Sequence, residues 1–155
     1  MPVSKKQQAA GGIAAALVLA VPLIARWEGK RNDPYLDIVK VPTVCYGETR
    51  VEMRHYSDAE CNDMLKGAVK GFAEPVARCT PMIADRPYQL AAATSLAYNI
   101  GVGAYCRSTA DRLFDRGDLK GGCKAITRWN SAGGRVVQGL VNRRAAEYRL
   151  CVTGL

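Results

Sequence analysis

Two carboxylic acids and a hydroxyl lie close together in the first third of the chain. Eight residues separate Glu28 from Asp37, and five more separate Asp37 from Thr43. Two carboxyl groups can cleave a glycosidic bond when one donates a proton to the leaving oxygen. The other then activates a water molecule or stabilises the positive charge that develops on the sugar. Glu28 and Asp37 are therefore a candidate pair for this chemistry, with Thr43 as a candidate third member.

The flanking sequence places these three residues on two different elements. An uncharged segment from Gln7 to Ala25 precedes Glu28 and can form a helix that ends near it. The segment from Asn32 to Thr49 is rich in Pro, Tyr, Val and Thr, which is typical of a β-hairpin. A helix end that faces a hairpin can place Glu28 on one side of a substrate, with Asp37 and Thr43 on the other.

The remainder of the chain is predicted to be mostly helical. Ser57-Asp58-Ala59-Glu60 is a capping box that opens a helix to about Ala77. Asp85-Arg86-Pro87 begins a helix that is apolar on most faces, as expected of a central buried helix, and Gly101 and Gly103 end it. Three further helices are predicted, over Ser108 to Arg116, Leu119 to Trp129 and about Val137 to Cys151, with a break at Ser131-Ala132-Gly133-Gly134. The predicted fold class is α+β, mainly helical, with a small N-terminal hairpin lobe and a larger helical lobe.

Several ordered motifs resemble those of phage-type lysozymes, glycoside hydrolase family 24. Glu28, Asp37 and Thr43 match the order and spacing of the family's catalytic triad. Other matching segments are Ala97-Tyr98-Asn99-Ile100-Gly101-Val102-Gly103, Arg128-Trp129-Asn130 with Gly133-Gly134, and Gly139-Leu140-Val141-Asn142-Arg143-Arg144 with Glu147. The resemblance extends from Trp27 to the C-terminus and implies a lysozyme-like fold.

This resemblance implies a function and a role for each member of the triad. The family cleaves the β-1,4 bond between N-acetylmuramic acid and N-acetylglucosamine of peptidoglycan, and it needs no cofactor. Glu28 would be the general acid, Asp37 an ionised carboxylate, and Thr43 a ligand of the attacking water. Apolar neighbours such as Trp27 and Ile24 predict a raised pKa for Glu28. The inverting mechanism assigned to the family predicts carboxyl groups about 6.5–9.5 Å apart.

Other polar residues are expected around this site. Tyr46, Asn99 and Arg128 are candidates for binding the sugar or bracing the cleft. Family members often carry a histidine where Tyr46 stands, in a Gly-His-Thr-like hairpin turn. If the glycines are aligned instead, Glu48 takes the place of that histidine and adds an acid there. Arg143 and Arg144 have two alternative interpretations, since they can contact the first helix and the surroundings of Glu28 or remain solvated helix charges. The three triad residues also have ordinary structural interpretations, as a helix-end glutamate, a turn aspartate and a strand threonine.

The charge balance favours an anionic partner. The chain has 22 Lys and Arg against 14 Asp and Glu, a net charge of +8. The basic residues are scattered and lack aromatic interleaving, so nucleic-acid binding is not expected, whereas an anionic bacterial envelope suits this charge. One histidine and no CxxC motif argue against a metal site. The expected state is a monomer.

Six cysteines predict disulfides in an oxidising compartment. An even count in a small basic chain indicates paired cysteines, although six cysteines allow fifteen pairings and the sequence alone selects none. The resemblance to secreted members of the family implies Cys45–Cys61 and Cys123–Cys151. That leaves Cys79 and Cys106 for a third bridge, with free buried thiols as the alternative.

The N-terminal segment has several interpretations. Lys5 and Lys6 precede residues 9–25, which are wholly apolar or glycine and therefore resemble a secretory signal. Cleavage at its end would leave Glu28 three residues from a free terminus and remove the helix that should hold it. A stable transmembrane anchor is disfavoured by the many alanines and glycines and by Pro22, since such residues hold a bilayer weakly. A buried helix of a soluble domain is a further alternative.

The resemblance favours a signal-anchor-release segment, as in some family 24 endolysins. Residues 1–26 would insert in the host inner membrane with the N-terminus inside and later leave it uncleaved. Residues 27–155 would form the catalytic domain, tethered inactive on the periplasmic face and then released to the periplasm. The predicted function is that of a phage or prophage endolysin that lyses the host cell. The alternatives are a non-catalytic peptidoglycan-binding protein and a membrane-disrupting basic protein on the same fold.

Overall fold

The computed structural model describes residues 1–155. It contains seven α-helices, one short 3-10 helix and two pairs of short strands, so the α+β, mainly helical prediction is confirmed. The elements in chain order are α1 Lys5–Trp27, β1 Arg31–Leu36, β2 Pro42–Cys45, α2 Asp58–Cys79, the 3-10 helix Pro81–Ile83, α3 Pro87–Ile100, α4 Val102–Cys106, α5 Thr109–Asp115, α6 Leu119–Ile126, β3 Ser131–Ala132, β4 Arg135–Val136 and α7 Gln138–Cys151.

The N-terminal segment forms one continuous helix that packs on the rest of the molecule. A capping box between Ser4 and Gln7 begins α1, and the helix continues through Pro22 to Trp27. Its buried side is built from residues at helical spacing, namely Gly12, Ala16, Leu17, Ala20 and Ile24. Leu17 and Ile24 on this side are buried, whereas Ile13 and Val21 are half-buried. The helix is also long and apolar enough to cross a membrane.

Small residues allow α1 to lie against its neighbours. Ala16, Ala20 and Ile24 are fully buried in the main hydrophobic core, together with residues of α2 and α3. Gly12 has no room for a side chain, because a Cβ there would overlap the backbone carbonyl of Ala84. One face of α1 is therefore an integral part of the core.

The central helix is α3, as the sequence predicts. Every residue from Gln89 to Ala97 is buried, which agrees with a helix enclosed by α1, α2 and α7. Gly101 ends it with a backbone φ of +95°, a value that favours glycine. The chain then forms α4 at once, a short helix that the sequence analysis did not predict.

The predicted break near residues 131–134 is a second β-hairpin. Gly133 and Gly134 have φ values of +59° and +76°, as a tight two-residue turn requires, and they join β3 to β4. The prediction that α6 extends to Trp129 is wrong, because the helix ends at Ile126. The N–H groups of residues 127–129 donate to carbonyls three residues back, so the chain tightens into turns after Ile126. The Val137 N–H then donates to the Asn130 carbonyl and closes the hairpin.

All six cysteines are paired in the structure. The bridges are Cys45–Cys61, Cys79–Cys106 and Cys123–Cys151, with Cα atoms 5.0, 5.9 and 5.6 Å apart. The first and third are the two pairs that the resemblance implies, and the second joins the two cysteines that those pairs leave over. They join β2 to α2, α2 to α4, and α6 to α7, so no bridge involves α1.

Candidate active site

Glu28 lies where α1 ends and the chain turns towards β1. Its backbone N–H donates to the Ile24 carbonyl at 3.0 Å, while its own extended conformation terminates the helix. The side chain is about one-third exposed, and its Oε1 accepts a hydrogen bond from Arg143 Nη1 at 3.1 Å. The negative end of the α1 dipole opposes charge on Glu28, whereas the Arg143 guanidinium favours it.

Asp37 is fixed by the turn between β1 and β2. Its Oδ1 accepts hydrogen bonds from the backbone N–H groups of Val39 and Val41, both at 2.9 Å. This is an Asx-type turn, in which an aspartate side chain replaces a backbone acceptor. Within the turn, Lys40 has a φ of +61°, an uncommon value for a residue with a side chain. The turn therefore holds one carboxylate oxygen and leaves Oδ2 without a protein donor, free to contact a ligand or water.

Thr43 is connected to Asp37 through the backbone of Val41. The Thr43 hydroxyl donates to the Val41 carbonyl at 2.8 Å, and the Asp37 N–H donates to the same carbonyl at 3.1 Å. Thr43 is buried in β2, opposite Tyr35 of β1. Because the hydroxyl proton is directed to Val41, the oxygen retains lone pairs that can accept a hydrogen bond from water.

The hairpin is fastened to the start of α2. The Cys45–Cys61 bridge ties its second strand to the first turn of that helix, and Tyr46 Oη donates to Asn62 Oδ1 at 2.9 Å. Cys45 itself has a φ of +59°, a strained value for a non-glycine residue. These contacts fix the position of β2, and therefore of Thr43, relative to the helical lobe.

We expect the loss of this bridge to affect activity as well as stability. The double variant Cys45→Ser/Cys61→Ser should lower the free energy of unfolding by about 2–4 kcal/mol. It should also lower kcat/KM, because it frees the hairpin that carries Asp37 and Thr43. Urea unfolding measures the first effect, and turnover of the peptidoglycan substrate that the resemblance implies measures the second.

The matched control for this variant is Cys123→Ser/Cys151→Ser, which removes a bridge between α6 and α7. It should cost a similar amount of stability and leave kcat/KM of the folded protein nearly unchanged. Equal activity losses in the two double variants would contradict a specific role for the hairpin bridge.

Beneath Glu28 lies a buried cluster of charges on α7. Glu147 is fully buried, and its Oε1 accepts hydrogen bonds from Ser95 Oγ at 2.6 Å and Arg144 Nη2 at 3.0 Å. Its Oε2 lies 2.8 Å from Arg144 Nε, and Arg143 Nε lies 3.5 Å from Oε1. Arg143 and Arg144 are both buried, so the interpretation that they are solvated helix charges is wrong. Arg143 links the buried carboxylate of Glu147 to the candidate acid Glu28.

Burial and charge act in opposite directions within this cluster. Burial raises the pKa of Glu147, while Arg144, Ser95 and Arg143 oppose that shift. Burial lowers the pKa of Arg144, which Arg143 reinforces and Glu147 opposes. Glu147 and the two arginines therefore favour one another's charges against burial, while the two arginines repel each other.

Tyr98 lies close enough to Glu28 for the charge of that carboxylate to affect the pKa of its phenol. Burial raises the pKa of its phenol, and the charges of Glu28 and Glu48 raise it further, whereas Arg143 lowers it. Its ring packs against Phe72 with centroids 4.9 Å apart. Tyr98, Glu28 and Glu48 therefore share one electrostatic environment, which places the extra acid of the hairpin turn close enough to influence the site.

The remaining predicted residues lie at different places. Tyr46 is half-buried on the hairpin, whereas Asn99 is exposed near the end of α3. Arg128 is exposed beyond α6 and lines a depression of about 370 Å³ together with Trp129 and with Arg107, Arg112 and neighbouring residues. The structure thus links Asp37 to Thr43 through the backbone of Val41 and Glu28 directly to Arg143, while Arg128 belongs to a separate depression.

Sequence reasoning did not single out Ser95 and Tyr98 and gave no role to Glu147. The spacing of Arg143, Arg144 and Glu147 is a usable signal, because residues three and four apart are neighbours on a helix. Ser95 has no comparable signal, since it meets Glu147 only through the packing of α3 on α7.

Comparison with known proteins places these features in a family. Residues 25–147 match the model of the phage lysozyme family. A SAR-endolysin of Bacteriophage PS119 is 38% identical, over 82% of this chain and 77% of that protein. A SAR-endolysin of Enterobacteria phage P21 is 36% identical, over 99% of each chain. The solved structure of an endolysin from Escherichia coli O157:H7 phage FAHEc1 has a TM-score of 0.74 at 25% identity and covers 88% of this chain and 92% of its own.

Proposed function

The chain belongs to the phage lysozyme family, and on that premise we propose that Glu28, Asp37 and Thr43 form its catalytic site. It is a lysozyme-type glycoside hydrolase of the SAR-endolysin kind, a muramidase that acts on peptidoglycan and lyses the host cell. The observation that carries the site assignment is the joint immobilisation of Asp37 and Thr43 through Val41, on a hairpin that directly follows Glu28.

In the proposed reaction, Glu28 donates its proton to the glycosidic oxygen as the bond to the anomeric carbon breaks. A water molecule held by the Thr43 hydroxyl adds to that carbon and releases a proton to the solvent, and Glu28 takes a proton from the solvent to restore the acid. The free Oδ2 of Asp37 either accepts a hydrogen bond from this water or stabilises the positive charge of the sugar ring. The products are two shorter glycan strands, one with a new reducing end.

Arg143 supports the charge change on Glu28. When Glu28 transfers its proton, a carboxylate forms 3.1 Å from the Arg143 guanidinium. A donor already positioned for developing charge stabilises a transition state without further reorganisation. Tyr46 and Asn99 are proposed to contact the glycan beside this site, and Arg128 to contact more distant parts of the polymer.

Product analysis tests this function. Purified peptidoglycan digested with the wild-type protein should yield muropeptides whose reducing end is N-acetylmuramic acid, read by mass spectrometry after borohydride reduction. Proton NMR during the reaction should detect the α anomer first, as an inverting mechanism requires. Reducing N-acetylglucosamine would contradict the proposed bond, and immediate appearance of the β anomer would contradict inversion.

We further propose that residues 1–26 act as a signal anchor that is exported, spans the inner membrane and is later released. Lys5 and Lys6 favour an N-terminus on the cytoplasmic side. The uncharged part of α1, residues 7–25, extends about 28 Å, which is close to the thickness of a hydrocarbon core of about 30 Å. The released protein would act as a monomer in the periplasm.

The packing of α1 supports a specific mode of inhibition before release. The same helix supplies the fully buried Ala16, Ala20 and Ile24 to the core and places Glu28 at its end. While α1 lies in the bilayer, the domain lacks both this part of its core and the support of the catalytic acid. Inhibition therefore follows from an incomplete fold, and no covering of the cleft by the membrane is needed.

Two neighbouring glycines separate the membrane role of α1 from its packing role. Leucine at Gly11 or Gly12 should strengthen the anchor by a similar amount, so both variants should delay lysis. Gly11 has open space beside it, whereas a side chain at Gly12 would overlap the Ala84 carbonyl. Gly12→Leu should therefore delay lysis longer and lower the stability of the purified protein by about 1–3 kcal/mol.

Gly11→Leu is the matched control, and its folded form should be as stable as wild type or slightly more so. Lysis curves and thermal unfolding measure the two roles separately. Unchanged lysis timing with a demonstrably tighter anchor would count against release as the controlling step. Equal stability of the two variants would contradict the contact with Ala84.

A further inference from the structure

A long groove runs between α1 and α2, and none of the proposed catalytic residues lines it. Its volume is about 980 Å³, near the upper end of the range of about 300–1,000 Å³ typical of small-molecule sites. The α1 side is apolar between Lys6 and Pro22, and the α2 side carries mostly polar and charged residues. The apolar α1 residues that line it are Ala9, Ala10, Ile13, Ala14, Leu17, Val18 and Val21.

The dimensions of the apolar side suit a hydrocarbon chain. Lys6 and Pro22 are sixteen residues apart on α1, which corresponds to about 24 Å along the helix. One leaflet of a bilayer is about 15 Å thick in its hydrocarbon part, half of a core of about 30 Å. One acyl chain can therefore lie lengthwise along α1, with room left at one end for a polar headgroup.

The charged residues around the groove favour an anion at one end. Lys6 and Arg78 line the groove, are exposed, and make no hydrogen bond or ion pair within the protein. Gly12 lies against Ala84, just after α2, so the N-terminal half of α1 lies beside the C-terminal end of α2. Lys6 and Arg78 are therefore at the same end of the groove, away from Asp63 near the start of α2. The other acidic residue of the lining, Glu74, is one turn from Arg78 and is paired with Lys70 at 3.7 Å.

We propose that this groove binds one anionic phospholipid, with the acyl chain along α1 and the phosphate at Lys6 and Arg78. This site is distinct from a membrane-spanning anchor, because the groove exists only when α1 is packed on the domain. A ligand that binds only this packed form stabilises it by mass action. The lipid would therefore favour the folded protein at the membrane surface over the form with α1 in the bilayer.

A monomeric lipid tests the site without offering a bilayer to α1. The probe is 1-myristoyl-lysophosphatidylglycerol below its critical micelle concentration, with the full oxidised chain, measured by calorimetry and native mass spectrometry. We expect one bound molecule. Arg78→Glu should weaken binding about 10- to 100-fold, as expected for the loss of a charge-assisted contact. Lysophosphatidylcholine with the same acyl chain has no net charge and should bind more weakly than the anionic lysophosphatidylglycerol.

Two further variants locate the headgroup and the chain. Lys120→Glu makes the same charge change at an exposed lysine on α6, outside the groove, and should leave binding unchanged. Ala14→Phe places a ring in the groove and should weaken binding without altering charge. Three results would overturn the proposal. The first is no binding, and the second is equal binding of both lipids to every folded variant. The third is an equal loss of affinity in Arg78→Glu and Lys120→Glu.

Discussion

Replacing Glu28 with glutamine should lower kcat on peptidoglycan by about 10²- to 10⁴-fold, because an amide cannot deliver the proton that the leaving oxygen needs. Glutamine has nearly the same shape, and its side-chain oxygen can still accept the hydrogen bond from Arg143. The fold and the affinity for the polymer should therefore change little. Turnover of purified peptidoglycan, with binding measured separately by cosedimentation, distinguishes a catalytic defect from a binding defect.

The control for this experiment is Glu52→Gln, which removes one negative charge from a highly exposed side chain. It should retain activity close to wild type. A Glu28→Gln variant with near wild-type kcat would move the catalytic acid elsewhere. Lysis by the inactive variant at the wild-type rate would instead support a membrane-disrupting or wall-binding function without hydrolysis.

Replacing Glu147 with alanine should lower the free energy of unfolding by about 3–5 kcal/mol. The change leaves two buried guanidinium groups, those of Arg143 and Arg144, without their shared carboxylate. For a chain of this size, such a loss corresponds to a decrease in Tm of about 6–20 °C. Thermal and urea unfolding with the disulfides intact measure it.

Glu74→Ala provides the comparison on the surface. Glu74 forms an exposed pair with Lys70 at 3.7 Å, and such pairs contribute at most about 0.5 kcal/mol. A further double variant, Glu147→Leu/Arg144→Met, removes a buried charge of each sign and should recover part of the lost stability. If Glu147→Ala unfolded within about 1 kcal/mol of wild type, the cluster would not hold Arg143 in the way described.

Local sequence signals predicted much of this structure because their causes are local. The Ser57 capping box begins α2, and the helix whose sequence is apolar on most faces is the buried central helix α3. The segment containing Asp37 and Thr43 forms the predicted hairpin because its composition favours extended backbone. Two-residue strands such as β3 and β4 are too short to produce an alternating pattern, although Gly133-Gly134 is a recognisable turn.

Contacts between distant segments could not be decided by such reasoning, and the contact of Arg143 with the surroundings of Glu28 was only one of two interpretations. Glu28 and Arg143 are 115 residues apart, and only the packing of α1 and α7 brings them together. Ser95 reaches Glu147 across 52 residues for the same reason. The identity of the triad residues was predictable by resemblance, whereas the residues that hold Glu28 in place depend on tertiary structure. The catalytic roles of Glu28, Asp37 and Thr43 are predictions, and Glu28→Gln tests that of Glu28.

The distribution of the disulfides has a consequence for the timing of activity. The three bridges join β2, α2, α4, α6 and α7, and none reaches α1. All three disulfides can therefore form before α1 packs on the domain, which gives an oxidised domain that still lacks this helix in its core. The moment at which activity appears would then be set by one non-covalent step, the arrival of α1, and not by the oxidative maturation of the domain. The delay before lysis would then depend on the rate at which α1 leaves the bilayer.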